Sequence, residues 1–269
     1  MATRGESNAT PGIEAIVDIA PKPRLHWQVA RVLDARPETA SASTIGLAVP
    51  GWGGHLAGQH IDLKLTAEDG YSAQRSYSLS KPPDGERIEL TIQQIPDGEV
   101  SPYLTGLTAG DEIELRGPIG GWFVWRPGEA TRVLLVAGGA GIVPLMAMLR
   151  QRVVAGAASF HLVYSVRSPA DVYYAQELDR LERECDWLQV VLVHTRTATP
   201  QTERPPGRIA SSDLAAPGWG PDDGVCIYVC GPTGFVESVT TLLIKHGHQP
   251  SAIRTERFGP SNESRNEDR

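Results

Sequence analysis

The chain has few cysteines, few aromatic residues, no long apolar run and no excess of positive charge. Its three cysteines, Cys185, Cys226 and Cys230, are too few for a disulfide framework, and three thiols cannot supply the four ligands of a cysteine-bound iron–sulfur cluster. Any one-electron metal centre is therefore expected on another protein. The seven histidines form no HExxH pair and no tight Cys/His cluster, so no metal site is expected. The longest strongly apolar stretch, Val133 to Ala137, falls far short of the ~20 residues that span a bilayer, and the N-terminus lacks a basic-plus-apolar secretory signal. A soluble cytoplasmic protein without membrane insertion is the expectation. The net charge of −7 divides into −5 for residues 1–128 (11 basic against 16 acidic) and −2 for residues 129–269 (14 against 16), so neither half is a basic nucleic-acid binder.

What is present is a 269-residue chain, 41% apolar and 21% charged, longer than one core usually organises. Two domains are expected, with their boundary near Pro127-Gly128: an antiparallel β-barrel or sandwich over 22–128 and an α/β domain over 129–258. Residues 1–21 and 259–269 read as flexible tails. Before the boundary, six β-type runs (27–35, 43–50, 59–65, 74–80, 87–95 and 111–117) alternate with turn formers. Ile61/Leu63/Leu65 and Ile88/Leu90/Ile92 show the period of two of half-buried strands. A short helix is expected over 101–107. After the boundary, apolar strands (131–139, 159–167, 188–196, 225–231) alternate with helices (144–156, 171–186, 235–247), the pattern of a doubly wound parallel sheet.

Several motifs carry chemistry. Arg75-Ser76-Tyr77-Ser78 joins a guanidinium that can pair with phosphate, a ring that can lie on a flat heterocycle and hydroxyls that can bond ring nitrogens. Gly98-Glu99-Val100-Ser101 opens a helix with Pro102 just inside its start, so its backbone N–H groups offer an anion seat with Ser101 as the expected cap. Gly138-Gly139-Ala140-Gly141-Ile142-Val143-Pro144 joins a strand to a helix; the glycines allow close approach to a phosphate, and Pro144 is expected to pre-set the first helical φ. Cys230-Gly231-Pro232 ends the fourth strand of the α/β half, facing the same crevice. Arg167 and Arg196 each follow a strand of that half and could clamp a 2′-phosphate, with Ser165 as a donor beside them.

Taken in order, RSYS (75–78), GEVSPYL (98–104), GPIGGWF (117–123), GGAGIVP (138–144), CGP (230–232) and Glu256-Arg257-Phe258 resemble the ferredoxin–NADP reductase family of flavoproteins over about residues 24–258. The resemblance implies an antiparallel flavin barrel, a pyridine-nucleotide domain and hydride transfer from NAD(P)H to flavin N5. It implies that Arg75 holds the flavin phosphates, Tyr77 stacks along the flavin and Ser78 bonds near N5. Thr91, Ile92 and Gln93 would line the flavin through backbone contacts, and Gly98, Glu99, Val100 and Ser101 would receive a pyrophosphate, which favours FAD over FMN. Gly139, Ala140, Gly141, Ile142 and Pro144 would meet the NAD(P)H diphosphate, with Gly231 and Pro232 across the crevice. Ser78, Cys230 and Phe258 would flank the hydride path, Cys230 beside the nicotinamide and Phe258 as a shield it displaces. Arg167, Arg196 and Ser165 would favour NADPH over NADH.

Two departures stand out: Val143 replaces a Thr common in relatives, and no appended plant-type ferredoxin domain is expected. Electrons are expected to leave to a separate redox protein, a ferredoxin, haem or molybdenum protein. A reductase of small acceptors such as flavin, quinone or ferric chelates, and a nucleotide-sensing module without turnover, are the competing expectations.

Overall fold

The computed structural model describes residues 25–67, 69–197 and 204–259, so the tail expected at 1–21 and all of the second except Gly259 lie outside the described residues. Strands β1 (Gln28–Thr39), β2 (Ala42–Ala48), β3 (His60–Thr66), β4 (Ser72–Ser78), β5 (Arg87–Gln93) and β6 (Glu112–Ile119) form an antiparallel sheet in the order β4-β3-β6-β1-β2-β5. The period-two residues fill its interior: Ile45, Leu47, Ile61, Leu63, Ile88, Leu90, Ile92, Ile113 and Leu115 are all buried. Leu65 is only partly buried.

The sheet closes on itself at one point. Leu79 bridges Leu90, and the Ser80 N–H donates to the Glu89 carbonyl at 2.9 Å, joining the ends of β4 and β5 into a barrel rather than a sandwich. The pairs that would follow, Ser78 with Thr91 and Tyr77 with Ile92, are not bridged, and the two strands leave a seam. Helix α1 (Ser101–Thr105) packs Leu104 beneath the barrel, two residues shorter than the reading of 101–107.

β1 runs on through Pro37 because the register shifts between Pro37 and Thr39, a bulge that gives Glu38 no opposite partner. Such a bulge re-aims the side chain it carries.

The second unit has a parallel sheet in the order β11-β10-β7-β8-β9, built from β7 (Arg132–Gly138), β8 (Ser159–Val166), β9 (Leu188–His194), β10 (Val225–Pro232) and β11 (Ile253–Phe258). Helices α2 (Ile142–Val154) and α3 (Ala175–Glu184) pack against one face around Leu145, Phe160 and Leu181. α4 (Thr233–Lys245) covers the other, with Val236 and Val239 on Leu134 and Val163. Strands buried on both faces read as continuous apolar runs, which is why β7 and β8 were legible.

Two helix starts move and one strand is added. α2 begins at Ile142, so Pro144 is its third residue, still in the first turn where an N–H has no helical acceptor. α3 begins at Ala175 rather than 171, because Val172, Tyr173 and Tyr174 are drawn into the core before the helix starts. β11 is a fifth strand that charge concealed: Arg254, Glu256 and Arg257 occupy half of a six-residue edge strand.

A buried ion pair joins the two units. Arg150 of α2 reaches Glu89 of β5 at 2.8 Å, the Ser80 carbonyl at 2.8 Å and Glu177 of α3 at 2.6 Å. Burial opposes the guanidinium charge, but Glu177 and Glu89 outweigh it and hold the Arg150 pKa above its usual range. Burial likewise opposes the Glu89 charge, and Arg150, Arg36 and Ser80 together pull its pKa below the usual carboxylate value. No helix among the described residues is long and apolar enough to cross a membrane.

Candidate active site

The barrel seam presents the first group of residues. Strand alternation puts Arg75 and Tyr77 on one face of β4 and Ser76 on the other. Arg75 is exposed; its guanidinium donates to the neighbouring Gln74 carbonyl at 2.7 Å and lies 3.5 Å from the exposed Glu99 carboxylate. Tyr77 lies half-buried against the barrel core, and burial pushes its hydroxyl up to about 12 despite the Arg75 charge. The Ser76 hydroxyl donates to Asp62 at 2.6 Å, on the opposite side from Arg75. Its side chain is therefore committed to the β3 carboxylate, and only its backbone is left for a ligand. Ser78 ends the strand level with His60.

Across the seam, Ile92 is fully buried in the barrel core, so its backbone alone can face a ligand. The Thr91 hydroxyl is held by Thr44 and Tyr174. Gln93 at the strand end is exposed. Gly98 and Glu99 precede α1, with the Gly98 N–H on the Ile95 carbonyl at 2.9 Å. Ser101 is not the cap: the capping position is Val100, and the Ser101 hydroxyl accepts the Ile95 N–H at 2.9 Å, closing the 95–101 loop instead. A buried Ser one residue inside the helix cannot also reach its own first-turn N–H groups.

The second group surrounds a cavity of about 240 Å³ at the carboxyl ends of β7, β8 and β10. Gly139, Ala140, Ser165, Arg167, Pro232 and Phe258 all line it. So do Ser41 and Gln93 of the barrel, which bring the seam and the cavity side by side. Gly139 has φ +53°, the left-handed region where glycine is at ease. A Cβ on Gly141 would stand 2.1 Å from the Cys230 carbonyl oxygen, so the loop can nest on β10 only without a side chain. Ile142 and Pro144 are buried, leaving backbone alone on the crevice side. The crevice sits where the strand order reverses between β7 and β10, the switch point at which open α/β sheets take ligands. Arg196 is exposed beyond this cavity, tied to Arg167 through its N–H on the Arg167 carbonyl at 2.9 Å.

Cys230 and Gly231 lie near the end of β10, with Glu256 of β11 alongside. Cys230 pairs in register with Glu256, and Gly231 is buried beside it. Burial, then the nearby Glu256, pushes the Cys230 thiol well above its ordinary range, so it stays protonated near neutrality and is no thiolate nucleophile. Burial lifts the Glu256 carboxyl to about 7. One of its oxygens is buried without a partner, and the other is 3.7 Å from His60 Nδ1. Burial also lowers the His60 pKa, against the pull of Asp62, so both groups lean to their neutral forms and the contact is not an ion pair.

Sequence reasoning missed several of these residues. Glu256 and His60 gave no signal beyond the Glu-Arg-Phe motif. Phe235 packs against both Gly138 and Gly231, where a Cβ would stand within 2.7 Å and 2.6 Å of its ring. Those two glycines were the available signal. Asp171 and Tyr173 enter the cavity from the turn after β8, and Arg208 lines a neighbouring groove of about 420 Å³ with Ser165 and Thr195.

The sequence matches an oxidoreductase FAD-binding domain over residues 47–124 and an oxidoreductase NAD-binding domain over 135–241. The chain thus carries the FAD-binding and NAD-binding domains of a ferredoxin reductase-like oxidoreductase. Among its relatives is the glycine betaine monooxygenase reductase subunit of Pseudomonas aeruginosa, 32% identical over 210 residues that cover 76% of this chain and 56% of the relative. The toluate 1,2-dioxygenase electron transfer component of Pseudomonas putida is 29% identical over 267 residues, 96% of this chain and 75% of that one. The solved ferredoxin reductase of carbazole 1,9a-dioxygenase superposes with a TM-score of 0.74 at 25% identity, covering 89% of this chain and 71% of that one. This chain thus spans little more than half the length of the first of these relatives.

Proposed function

We propose that the protein takes a hydride from NAD(P)H onto FAD and delivers electrons to a separate redox protein, as the reductase and electron-transfer names of its relatives suggest. The observation that supports this most is that Gln93 and Ser41 of the barrel line the same cavity as Gly139, Arg167 and Phe258, so two nucleotide sites would meet edge to edge. Bound FAD would supply a hydride acceptor at N5 and a switch from two-electron to one-electron transfer.

The chain's own part is binding and exclusion. The residues fit the group: Arg75 is exposed, held only by the adjacent Gln74 carbonyl and an exposed carboxylate at 3.5 Å, and the seam leaves backbone unbridged between Tyr77 and Ile92. Arg75 would hold the phosphates, the backbone at Gly98–Ser101 would receive the rest of the pyrophosphate, and Tyr77 would lie along the ring system. The Gly139–Pro144 backbone would seat the coenzyme diphosphate. Phe258, at the end of β11 and 37% exposed, would swing from the cavity as the nicotinamide enters. Cys230 would remain a neutral thiol beside the ring, and Glu256 would stand ready to hold or release a proton near neutrality.

NADPH is favoured over NADH through Arg167 on the cavity wall and Arg208 in the next groove, with Arg196 alongside. Asp171, the one carboxylate on that wall, accepts the Ser168 hydroxyl at 2.6 Å.

Purified protein should be yellow, release FAD rather than FMN on denaturation, and bleach with NADPH faster than with NADH. Colourless protein that takes up no FAD would overturn the reading. Protein that bleaches but passes electrons faster to a quinone or free flavin than to any ferredoxin would favour the small-acceptor reading.

A further inference from the structure

The turn from β8 to α3 faces two ways. Arg167, Asp171 and Tyr173 look into the nucleotide cavity. Tyr174, the next residue, is turned away from it and is 4% exposed. Among the described residues it alone has a positive φ, 58°, without being glycine. That conformation is unfavourable for a residue with a Cβ, and it persists only where surrounding contacts fix it.

Those contacts close a ring across the domain interface. The Tyr174 N–H donates to Glu38 Oε1 at 2.6 Å, and Thr44 Oγ1 donates to Glu38 Oε2 at 3.0 Å. Thr44 Oγ1 is also 2.8 Å from Thr91 Oγ1, and the Tyr174 hydroxyl reaches Thr91 Oγ1 at 2.5 Å. Each hydroxyl has one proton, so the directions are fixed. Thr44 gives its proton to the carboxylate, Thr91 gives its own to Thr44, and Tyr174 gives its own to Thr91. The bulge at Glu38 aims the carboxylate that receives both ends. The Arg150 guanidinium lies 4.9 Å from the Tyr174 ring and grips Glu89, two residues before Thr91 on the same strand. β5 is therefore tied to the turn that lines the nucleotide cavity, two residues before Gln93 enters that cavity.

We propose that Tyr174 is a positioning residue that fixes the spacing between nicotinamide and flavin by locking β5 to the β8–α3 turn, and that it carries coenzyme binding into the barrel. This rests on the flavin-reductase reading above. The coupling is physical because one closed set of directed hydrogen bonds links the two walls, and a shift of either wall must break a buried bond or move the other.

The test compares FAD-loaded wild type with Tyr174→Phe and with Thr44→Val, which opens the same ring in the barrel without touching the turn. In wild type, saturating NADP+ or NAD+ should slow amide exchange both at 165–174 and at 87–91. In each variant it should slow exchange only at 165–174. In single-turnover mixing with NADPH or NADH, the limiting rate of flavin bleaching should fall about tenfold in the variants, the coenzyme Kd should stay within twofold, and the long-wavelength charge-transfer absorbance should weaken. Variants that keep wild-type exchange at 87–91 and a wild-type limiting rate would overturn the proposal. So would a rate loss that merely tracks lost FAD or lost folded protein. If wild type itself is not bleached by either coenzyme, the reductase reading fails and this inference with it.

Discussion

In the barrel, the groups proposed to meet a ligand include side chains on an open seam: Arg75 is exposed, held by the Gln74 carbonyl and the exposed Glu99 carboxylate, and Tyr77 is paired with β3 but not bridged to β5. In the α/β half they are backbone groups in a closed nest, with Gly141 so near Cys230 that no methyl fits between them. On the proposed reading the two halves would hold a phosphate differently, the barrel adding a side-chain charge to backbone N–H groups and the α/β half relying on N–H geometry alone. They should fail differently. A lost side chain at the seam should cost ligand and spare the fold, whereas an added atom in the nest should cost the fold first.

The largest effect expected is that of Gly141→Ala. Its Cβ would stand 2.1 Å from the Cys230 carbonyl, so the loop must leave β10. A loss of about 4 kcal/mol or more, read from the urea midpoint, should accompany lost coenzyme binding. A variant of wild-type stability would show that the nest has slack and would dissolve the contrast. Next is Arg150→Ala, which strands Glu89 buried without its strongest cation and should destabilise by about 3 kcal/mol or more. Calorimetry should then resolve the two halves into separate transitions; a single unshifted transition would mean that they are not joined here.

Glu256 sharpens the comparison through pH. Burial raises its carboxyl from 4.5 to about 7, so between those values the folded state binds the proton more tightly than the unfolded chain. Its contribution to stability is full below about pH 4.5 and is lost as pH rises through about 7, an interval worth roughly 3 kcal/mol at most. Glu256→Gln should flatten that fall when urea midpoints at pH 5 and pH 8 are compared, and an unchanged slope would assign the titration elsewhere. Arg75→Ala should weaken FAD binding by about 1.5–3 kcal/mol, roughly ten- to a hundredfold, with the apoprotein melting where wild-type apoprotein does. Full FAD retention would move the flavin phosphates off the seam. The smallest change is expected from Arg167→Ala, because an exposed and salt-screened guanidinium contributes under about 1 kcal/mol. A several-fold rise in the NADPH Kd with NADH unmoved is the expected result, and equal weakening of both coenzymes would make Arg167 a diphosphate contact.

The nest was legible in the sequence because its requirement is compositional: only glycine meets it, and Gly139 and Gly141 stand in line after an apolar strand. The seam was half legible. Arg75 and Tyr77 declared themselves as residue types, but the loss of Ser76 to Asp62 depends on a pairing with β3 that no local pattern encodes. The interface was not legible at all. Glu38 and Tyr174 meet across 136 residues of sequence, and the bulge that aims Glu38 leaves no mark other than a proline beside it. The α3 start was misread for the same reason, since the apolar residues that signal a helix were spent as pegs in the core ahead of it.

The one bridge that closes the barrel among the described residues would make the protein a thermodynamic gauge of a ligand bound at the seam. A sheet held at its seam by Leu79 and Leu90 behaves as a half-fastened zip, with the free edge of β4 from Ser72 to Tyr77 lying open. A flavin nucleotide seated there, as proposed, would cover that open edge and should bind only the fastened form. At a hundred times its Kd it would add about 2.7 kcal/mol to the stability of the whole barrel. Nicking by protease between Ser72 and Tyr77 should therefore fade as FAD is added, so that flavin supply sets how long the chain survives as well as how fast it works.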